Sequence, residues 1–292
     1  MRKLIGVGLA VGLGLGFATQ AFAQAKTLDA VKQRGSLNCG VNVGLAGFGA
    51  PDDKGNWTGL DVDYCKAIAA AVLGDATKVK YVPTTAKERF TALQSGEVDV
   101  LVRNTTWTIA RDSSLGLSFT GVNYYDGQGF MVKKSLGVAS ALELNGAAVC
   151  VQTGTTTELN LSDFFKLHNL KYNPVVFEKL EETNAAYDSG RCDVLTTDAS
   201  GLYATRLVLS KPDDNIVLPE IISKEPLGPS VRQGDDQWFN VVKWVGFALL
   251  NAEELGVTAA NVDQMKGGQN QEVRRLLGSD GTFGETLGLT ND

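Results

Sequence analysis

A ten-residue pattern that occurs twice constrains the fold of this chain more than any other feature. The segments Ala92–Leu101 and Ala186–Leu195 share one order: a helical stretch, Ser-Gly, a tight turn with Asp, and an apolar stretch. A glycine at this place adopts the left-handed conformation that ends a helix, and the turn after it leads into a buried strand. Because helix–glycine–strand turns are common, chance similarity is the alternative explanation. We prefer two α/β lobes of similar design.

Strands and helices alternate through the first third of the chain. The apolar spacing and the turn residues predict, in chain order, a helix over Leu28–Arg34 capped by Thr27, a strand over Ser36–Val43, a helix over Leu60–Leu73, a strand over Lys78–Val82, a helix over Lys87–Gln94 and a strand over Val98–Val102. This alternation is typical of a parallel α/β sheet flanked by helices.

Two later segments are predicted to cross between the lobes. Phe119–Phe130 is a glycine-rich strand, and the proline-containing Ile216–Val231 is the return crossing. We therefore expect lobe 1 to comprise residues 24–124 and 227–292, and lobe 2 to comprise residues 125–226. Two linking strands permit hinge closure about a cleft.

The composition excludes several classes of function. The 292 residues include 1 histidine, which argues against a histidine-based catalytic triad or a zinc site. The net charge is −6 and no cluster of lysine and arginine is present, so a nucleic-acid partner is not expected. We expect no metal and no other cofactor.

The N-terminus has the pattern of a secretory signal peptide. A short basic head, Met1–Lys3, precedes the apolar run Leu4–Ala18 and the small-residue cleavage site Ala21–Ala23. We expect cleavage after Ala23 and an exported chain.

Export changes the interpretation of the cysteines, which are Cys39, Cys65, Cys150 and Cys192. An even number of cysteines in an oxidising compartment favours disulfides, and four allow three connectivities. We favour Cys39–Cys65 and Cys150–Cys192, because each pair would then lie within one lobe. A metal site is the weaker interpretation, since no C-x-x-C motif occurs.

Polar residues follow the strand in each copy of the repeat, where α/β sheets bind their ligands. Residues 103–107 and Arg111 follow the first copy, and residues 196–198 follow the second. If the two lobes face each other, the planar guanidinium of Arg111 can bind a carboxylate and Asp198 can bind an ammonium. A surface arginine and a turn-forming aspartate are the alternative. The pair predicts a receptor for a zwitterion.

A third polar segment opens a helix in the predicted second lobe. Thr155 and Glu158 have the spacing of a capping box, which leaves backbone N–H groups of the first turn free to meet an anion. Plain helix capping is the alternative explanation.

Four segments resemble a known family: Gly59–Asp63, Phe90–Val100, Asn104–Arg111 and Cys192–Asp198. They are similar to the periplasmic amino-acid-binding proteins of ABC importers, solute-binding protein family 3. Within it they resemble the general or polar L-amino-acid-binding proteins, which serve glutamate, glutamine, aspartate and asparagine. The resemblance spans the mature chain and implies a periplasmic type II binding protein of two α/β lobes joined by a two-strand hinge. It also implies an L-amino acid as ligand and the membrane permease as partner. We expect a monomer that is not an enzyme.

The resemblance assigns roles to individual residues. It implies that Arg111 and the hydroxyl of Thr106 bind the ligand carboxylate, together with a helix-start amide near Thr156. It implies that the backbone carbonyl of Asn104 and the carboxylate of Asp198 bind the ligand ammonium.

The side-chain pocket departs from some relatives. Leu45 stands where relatives often have an aromatic residue, and Phe48 is nearby. In binders of acidic amino acids an arginine near Arg89 meets the side-chain carboxylate, whereas another arginine is replaced here by Asn42. The resemblance therefore implies a broad range of polar amino acids.

Two other functions remain open on the sequence. A periplasmic lyase of the cyclohexadienyl dehydratase type has the same fold, and Lys87, Glu88 and Arg89 would be its candidate acid and base groups. A sensory binding module would have the same ligand site and a different docking partner.

Overall fold

The structure is a computed structural model that describes residues 26–291. The predicted signal peptide and its cleavage after Ala23 lie outside the described residues. The helices are α1 (Thr27–Arg34), α2 (Leu60–Leu73), α3 (Arg89–Ser95), α4 (Ile109–Ser114), α5 (Thr156–Leu167), α6 (Leu180–Asp188), α7 (Ala199–Arg206), α8 (Asp236–Glu254), α9 (Val262–Lys266), α10 (Gln271–Leu276) and α11 (Phe283–Thr286). In this part of the chain no helix is long and apolar enough to cross a membrane.

The strands are mostly short. They are β1 (Leu37–Val41), β2 (Ala50–Pro51), β3 (Trp57–Thr58), β4 (Val79–Pro83), β5 (Val100–Leu101), β6 (Leu117–Phe119), β7 (Tyr124–Asp126), β8 (Gln128–Lys133), β9 (Ala148–Gln152), β10 (Asn173–Phe177), β11 (Val194–Asp198), β12 (Asn215–Val217), β13 (Glu225–Leu227) and β14 (Ser230–Arg232). The elements predicted for the first third of the chain are present, and most of their ends are shifted by one or two residues.

Two five-stranded sheets of the same design form the molecule. Their strand orders are β4-β1-β5-β14-β6 and β10-β9-β11-β8-β12. In each sheet three strands run parallel, and the next strand along, β14 or β8, is antiparallel to them. We call the first sheet with its packed helices lobe 1 and the second sheet with its helices lobe 2. The predicted two-lobed α/β architecture is confirmed.

The repeated sequence pattern has a structural cause in both lobes. Gly96 and Gly190 have φ of 81° and 80° and follow helices α3 and α6, as the left-handed cap requires. The aspartate of each copy links the central strand that follows it, β5 or β11, to the neighbouring parallel strand: Asp99 accepts from the N–H of Asn38 in β1 at 2.7 Å, and Asp193 accepts from the N–H of Ala148 in β9 at 2.8 Å. In both lobes the repeated pattern therefore contains the end of a helix and the start of the central strand of the sheet.

Each lobe has its own hydrophobic core. In lobe 1, α2 packs against both β1 and α8, and Ile68, Trp238 and Val241 belong to the same buried cluster. In lobe 2, the alternating residues Phe130 and Met131 of β8 belong to two different clusters, because successive side chains of a strand point to opposite faces. Both sheets are thus covered by helices, which leaves the carboxyl ends of the parallel strands to form a site.

Both disulfides join elements of a single lobe. Cys39 of β1 is bonded to Cys65 of α2, and Cys150 of β9 is bonded to Cys192 in the turn before β11. These are the two pairings that the sequence favoured.

An antiparallel ribbon of β7 and β13 runs between the lobes. Its register pairs Glu225 with Asp126 and Leu227 with Tyr124. The segment after β5 is attached to the ribbon, since the N–H of Trp107 donates to the carbonyl of Pro226 at 2.8 Å. One polar segment of lobe 1 is therefore fixed to the crossing strands.

Candidate ligand site between the lobes

A cavity lies between the two lobes, at the carboxyl ends of β1, β5, β9 and β11. Lobe 1 lines it with Asn42, Leu45, Arg89, Arg103, Asn104 and Thr106. Lobe 2 lines it with Gln152, Thr155, Thr156, Thr157, Leu180, Thr197, Asp198, Ser200, Gly201 and Thr205. This is the edge of the sheet at which open α/β folds bind ligands.

Seven of the nine predicted ligand-binding residues line this cavity: Leu45, Arg89, Asn104, Thr106, Thr155, Thr156 and Asp198. Arg111 and Phe48 are not among the lining residues. The Arg111 guanidinium is buried just behind the wall, where Nη1 donates to the carbonyl of Thr106 at 2.8 Å. The Phe48 ring packs edge-on against Tyr124 with centroids 5.2 Å apart.

The wall in lobe 1 depends on a tight turn at Asn104, which has φ of 31°. Asp61, at the start of α2, accepts from the N–H of Asn104 at 2.8 Å and from the amide of Asn123 at 3.3 Å. The Asn104 side chain also accepts from Asn42 at 2.9 Å. Burial raises the pKa of Asp61 to about 6, against the opposing effects of these hydrogen bonds and of Arg103. A buried carboxylate thus holds the turn in place.

Three buried arginines give lobe 1 a positive side. Burial lowers the pKa of Arg103 and of Arg111 to about 10. Burial also holds the pKa of Arg89 well below its usual range, with repulsion from Arg111 and Arg103 adding to the effect. The Phe90 ring lies between two of them, 4.8 Å from the Arg89 guanidinium and 5.1 Å from that of Arg111. Its negative faces offset part of their repulsion.

Two of these arginines have donor atoms without a hydrogen-bond partner in the structure. Arg103 Nε donates to the carbonyl of Thr84 at 3.0 Å, but its Nη2 is buried and unpaired. Arg89 Nη1 donates to the hydroxyl of Thr105 at 3.3 Å, and its Nε is buried and unpaired. Since unpaired buried donors are costly, these groups favour an acceptor in the cavity.

Asp198 supplies the negative side from lobe 2. It is the last residue of β11, and its Oδ1 is buried without a hydrogen-bond partner. Burial, followed by the neighbouring carboxylates of Glu225 and Asp126, raises the pKa of Asp198 to about 8, while Arg89 and Arg111 oppose the shift. A cation beside Asp198 would stabilise its carboxylate and lower this pKa.

The N-terminus of α5 also meets the cavity. The Thr155 hydroxyl accepts from the N–H of Glu158 at 3.1 Å, as the capping box predicts. The Glu158 carboxylate accepts from the N–H of Gly154 at 3.1 Å and not from the N-cap residue itself. The second hydrogen bond of the predicted capping box is therefore made to the residue before the N-cap. Thr155–Thr157 line the cavity at the positive end of the helix.

Glu225 is a buried residue beside the candidate site that the sequence analysis missed. It is 1% exposed and accepts four hydrogen bonds, from the side chains of Thr106, Thr156, Asn160 and Ser223. Its signal in the sequence was weak, because a single glutamate before a proline in the predicted return crossing is not a distinctive pattern. It could have been identified only by predicting that this crossing lies beside residues 104–106.

Phe90 and Asp61 were also not assigned to the site from the sequence, and Arg103 was placed at the strand end but was given no role. In the part of the chain that the structure describes, no group of three or more His, Cys, Asp or Glu side chains is arranged to hold a metal ion.

Comparison with known proteins gives a consistent result. The model of the family "Bacterial extracellular solute-binding proteins, family 3" matches residues 37–258. The "General L-amino acid-binding periplasmic protein AapJ" of Rhizobium johnstonii is 66% identical over 97% of this chain and 84% of its own length. The "Glutamate/glutamine/aspartate/asparagine-binding protein BztA" of Rhodobacter capsulatus is 59% identical over 92% of this chain and 80% of its own.

A solved structure extends the similarity to three dimensions. It is an ABC transporter periplasmic binding protein from Brucella ovis with glutathione bound, 62% identical and superposed with a TM-score of 0.89. The match covers 92% of this chain and 85% of that one.

Proposed function

The chain belongs to family 3 of the bacterial extracellular solute-binding proteins, and from that premise we propose that it captures free L-amino acids between its lobes and delivers them to an ABC permease. The observation that carries the proposal is the cavity itself, with arginines on the side of lobe 1 and Asp198 on the side of lobe 2. Opposite charges on the two walls match the two ends of a zwitterion.

The ends of the ligand are assigned by charge. Arg111 and the N-terminus of α5 near Thr156 bind the carboxylate, since a guanidinium fork and helix N–H groups both favour an anion. Asp198 and the carbonyl of Asn104 bind the ammonium. The closed arrangement is favoured by ligand because only there do both lobes contact it.

The side chain of the ligand faces Arg89 and Arg103. Their unpaired donors favour a carboxylate or amide oxygen, and Leu45 and Leu180 contact the methylene groups before it. Glutamate, glutamine, aspartate and asparagine all meet this requirement, and the name of the Rhodobacter capsulatus relative gives the same four. Glutathione, bound in the Brucella ovis structure, has a free α-amino-acid end of the glutamate type.

Binding and not catalysis is the function of this chain. The relatives that are 66% and 59% identical are named as binding proteins. A dehydratase-like reaction is therefore not favoured. Lys87 and Glu88, its other candidate acid and base groups, do not line the cavity; Arg89 does.

The hinge is proposed to pass through the ribbon of β7 and β13, with lobe 1 comprising residues 24–124 and 227–292 and lobe 2 residues 125–226. Proteins of this family are exported, and cleavage after Ala23 is the proposed processing step. The protein acts as a monomer that docks on the permease.

Calorimetry with the twenty L-amino acids and their D-forms tests the function. Removing one partner of a buried charge pair costs about 2–5 kcal/mol, out of about 8 kcal/mol for micromolar binding. Arg111→Ala and Asp198→Ala should therefore each raise Kd by about thirtyfold or more. Arg191→Ala, which removes an exposed arginine outside the cavity, is the control and should leave Kd unchanged. Binding within about threefold of wild type by either Arg111→Ala or Asp198→Ala would show that the assignment is wrong.

A further inference from the structure

Glu225 joins the two lobes behind the cavity wall, where it contacts two of the lining residues. Its Oε2 accepts from the hydroxyl of Thr106 in lobe 1 at 2.6 Å and from that of Thr156 in lobe 2 at 2.8 Å. Its Oε1 accepts from Asn160 at 2.8 Å and from Ser223 at 2.6 Å. The Asn160 amide nitrogen can only donate, and the three hydroxyls can each donate one proton. An ionised carboxylate, which only accepts, satisfies all four partners at once.

A threonine hydroxyl has a single proton. When that proton is directed to Glu225, the same hydroxyl has only lone pairs left for a ligand. The two hydroxyl oxygens lie 3.4 Å apart, and each has a shorter contact with the Glu225 carboxylate. Both Thr106 and Thr156 therefore present acceptors to the cavity.

Acceptors suit one end of the ligand only. A ligand carboxylate needs donors, whereas an ammonium has three N–H groups that need acceptors. On the basis of the proposed function, we propose that Glu225 is a positioning residue that directs the hydroxyls of Thr106 and Thr156 toward the ligand ammonium. This changes the role that the resemblance implied for the Thr106 hydroxyl, which was a contact to the carboxylate. Arg111 and backbone N–H groups then hold the carboxylate.

The charges around the cavity agree with this assignment. The Glu225 carboxylate lies close enough to Asp198 to raise its pKa and close enough to Arg111 to oppose the lowering of its pKa by burial. Two carboxylates with two hydroxyl acceptors thus form a site for one cation. A neutral group at position 225 would remove a negative charge and could also reverse the direction of both hydroxyls.

Glu225→Gln makes that reversal without a change of shape. The amide oxygen can still accept from Asn160 and Ser223, and the amide N–H groups can donate to the two threonine hydroxyls, whose protons then turn into the cavity. We expect a melting temperature close to that of wild type and a Kd for L-glutamate raised by about tenfold or more, measured by calorimetry. Glu220→Gln is the matched control, because that carboxylate accepts from Ser140 and Ala141 away from the cavity.

A double-mutant cycle separates positioning from a general structural effect. If Glu225 acts through the Thr106 hydroxyl, Glu225→Gln should raise Kd by about tenfold in the wild-type chain and by less than about threefold in a Thr106→Val chain. The same factor in both backgrounds would overturn the proposal. If Glu225→Gln does not fold, the cycle is run with Glu225→Asp and judged by the same coupling.

The cycle also distinguishes this inference from the proposed function. If wild type and Glu220→Gln bind no L-amino acid, the proposed function fails. If both bind L-glutamate and the cycle is additive, only the role of Glu225 fails.

Discussion

In the proposed function, Asp198 is the residue whose charge state should affect binding most directly. With a pKa raised to about 8, its carboxyl group is about nine-tenths protonated at pH 7 in the ligand-free protein. A bound ammonium stabilises the carboxylate and lowers this pKa. Binding at neutral pH should therefore release a proton.

The affinity should rise with pH as a result. Below the pKa of Asp198, most molecules must lose a proton before they bind, so Kd should fall by about ninefold from pH 6 to 7, by about fivefold from pH 7 to 8, and level off above that. Calorimetry in two buffers with different ionisation enthalpies should count about one proton released at pH 6. The Asp198→Asn variant should bind weakly, and its Kd should not show this dependence on pH. A Kd that is flat from pH 6 to 8 would contradict a titrating Asp198.

At the scale of the element, the start of α2 shapes the turn that follows β5. Asp61 and Asp63 lie two positions apart on this helix, but Asp61 is buried against Asn104 and Asn123 while Asp63 forms an exposed ion pair with Lys66. The two carboxylates are a natural pair for comparison, because the helix and the residue type are the same.

Asp61→Ala should lower both stability and affinity. It leaves two part-buried donors without an acceptor, each at a cost of up to about 1–3 kcal/mol, and it frees the Asn104 turn. We expect a clear fall in melting temperature and a higher Kd for L-glutamate. Asp63→Ala should change both quantities little, because exposed ion pairs contribute about 0–1 kcal/mol. Equal effects of the two variants would show that Asp61 does not hold the turn.

The disulfides stabilise elements within a lobe. The Cys39–Cys65 bond closes a loop with a sequence separation of 26, for which chain entropy gives about 3 kcal/mol. The double variant Cys39→Ala/Cys65→Ala should lower the free energy of unfolding by about this amount. Because the bond lies outside the cavity, the folded variant should keep its Kd for L-glutamate within about threefold. A large loss of affinity in the folded protein would instead link this bond to the site.

At the scale of the whole molecule, the features that sequence reasoning predicted are those with a local cause. Gly96 and Gly190 mark helix ends through a conformation that other residues rarely adopt, and the strand ends near Arg103 and Asp198 follow from the same repeats. The two-lobed fold followed from these signals together with the alternation of strands and helices.

The features that it missed depend on contacts across long separations. Glu225 meets Thr106 only because β13 returns beside the segment after β5, and no local pattern encodes that meeting. The Phe90 ring, between two guanidinium groups, looks like an ordinary core residue in the sequence. On α8, Trp238, Val241 and Val245 are buried, whereas Leu249, which follows them at helical spacing, is 44% exposed. Spacing alone does not tell where the partner surface ends.

The strand order determines which of the two sheets can be completed first as the chain emerges. All five strands of the second sheet come from one continuous stretch, residues 128–217, whereas the first sheet takes its fourth strand from residues 230–232. A chain that emerges from a membrane channel N-terminus first therefore delivers a complete set of strands for the later half before the earlier half has its own. Until the last quarter of the chain emerges, β5 and β6 of lobe 1 lack the strand that lies between them. Unpaired strand edges are then exposed, and this is the stage at which a chaperone would protect the chain most.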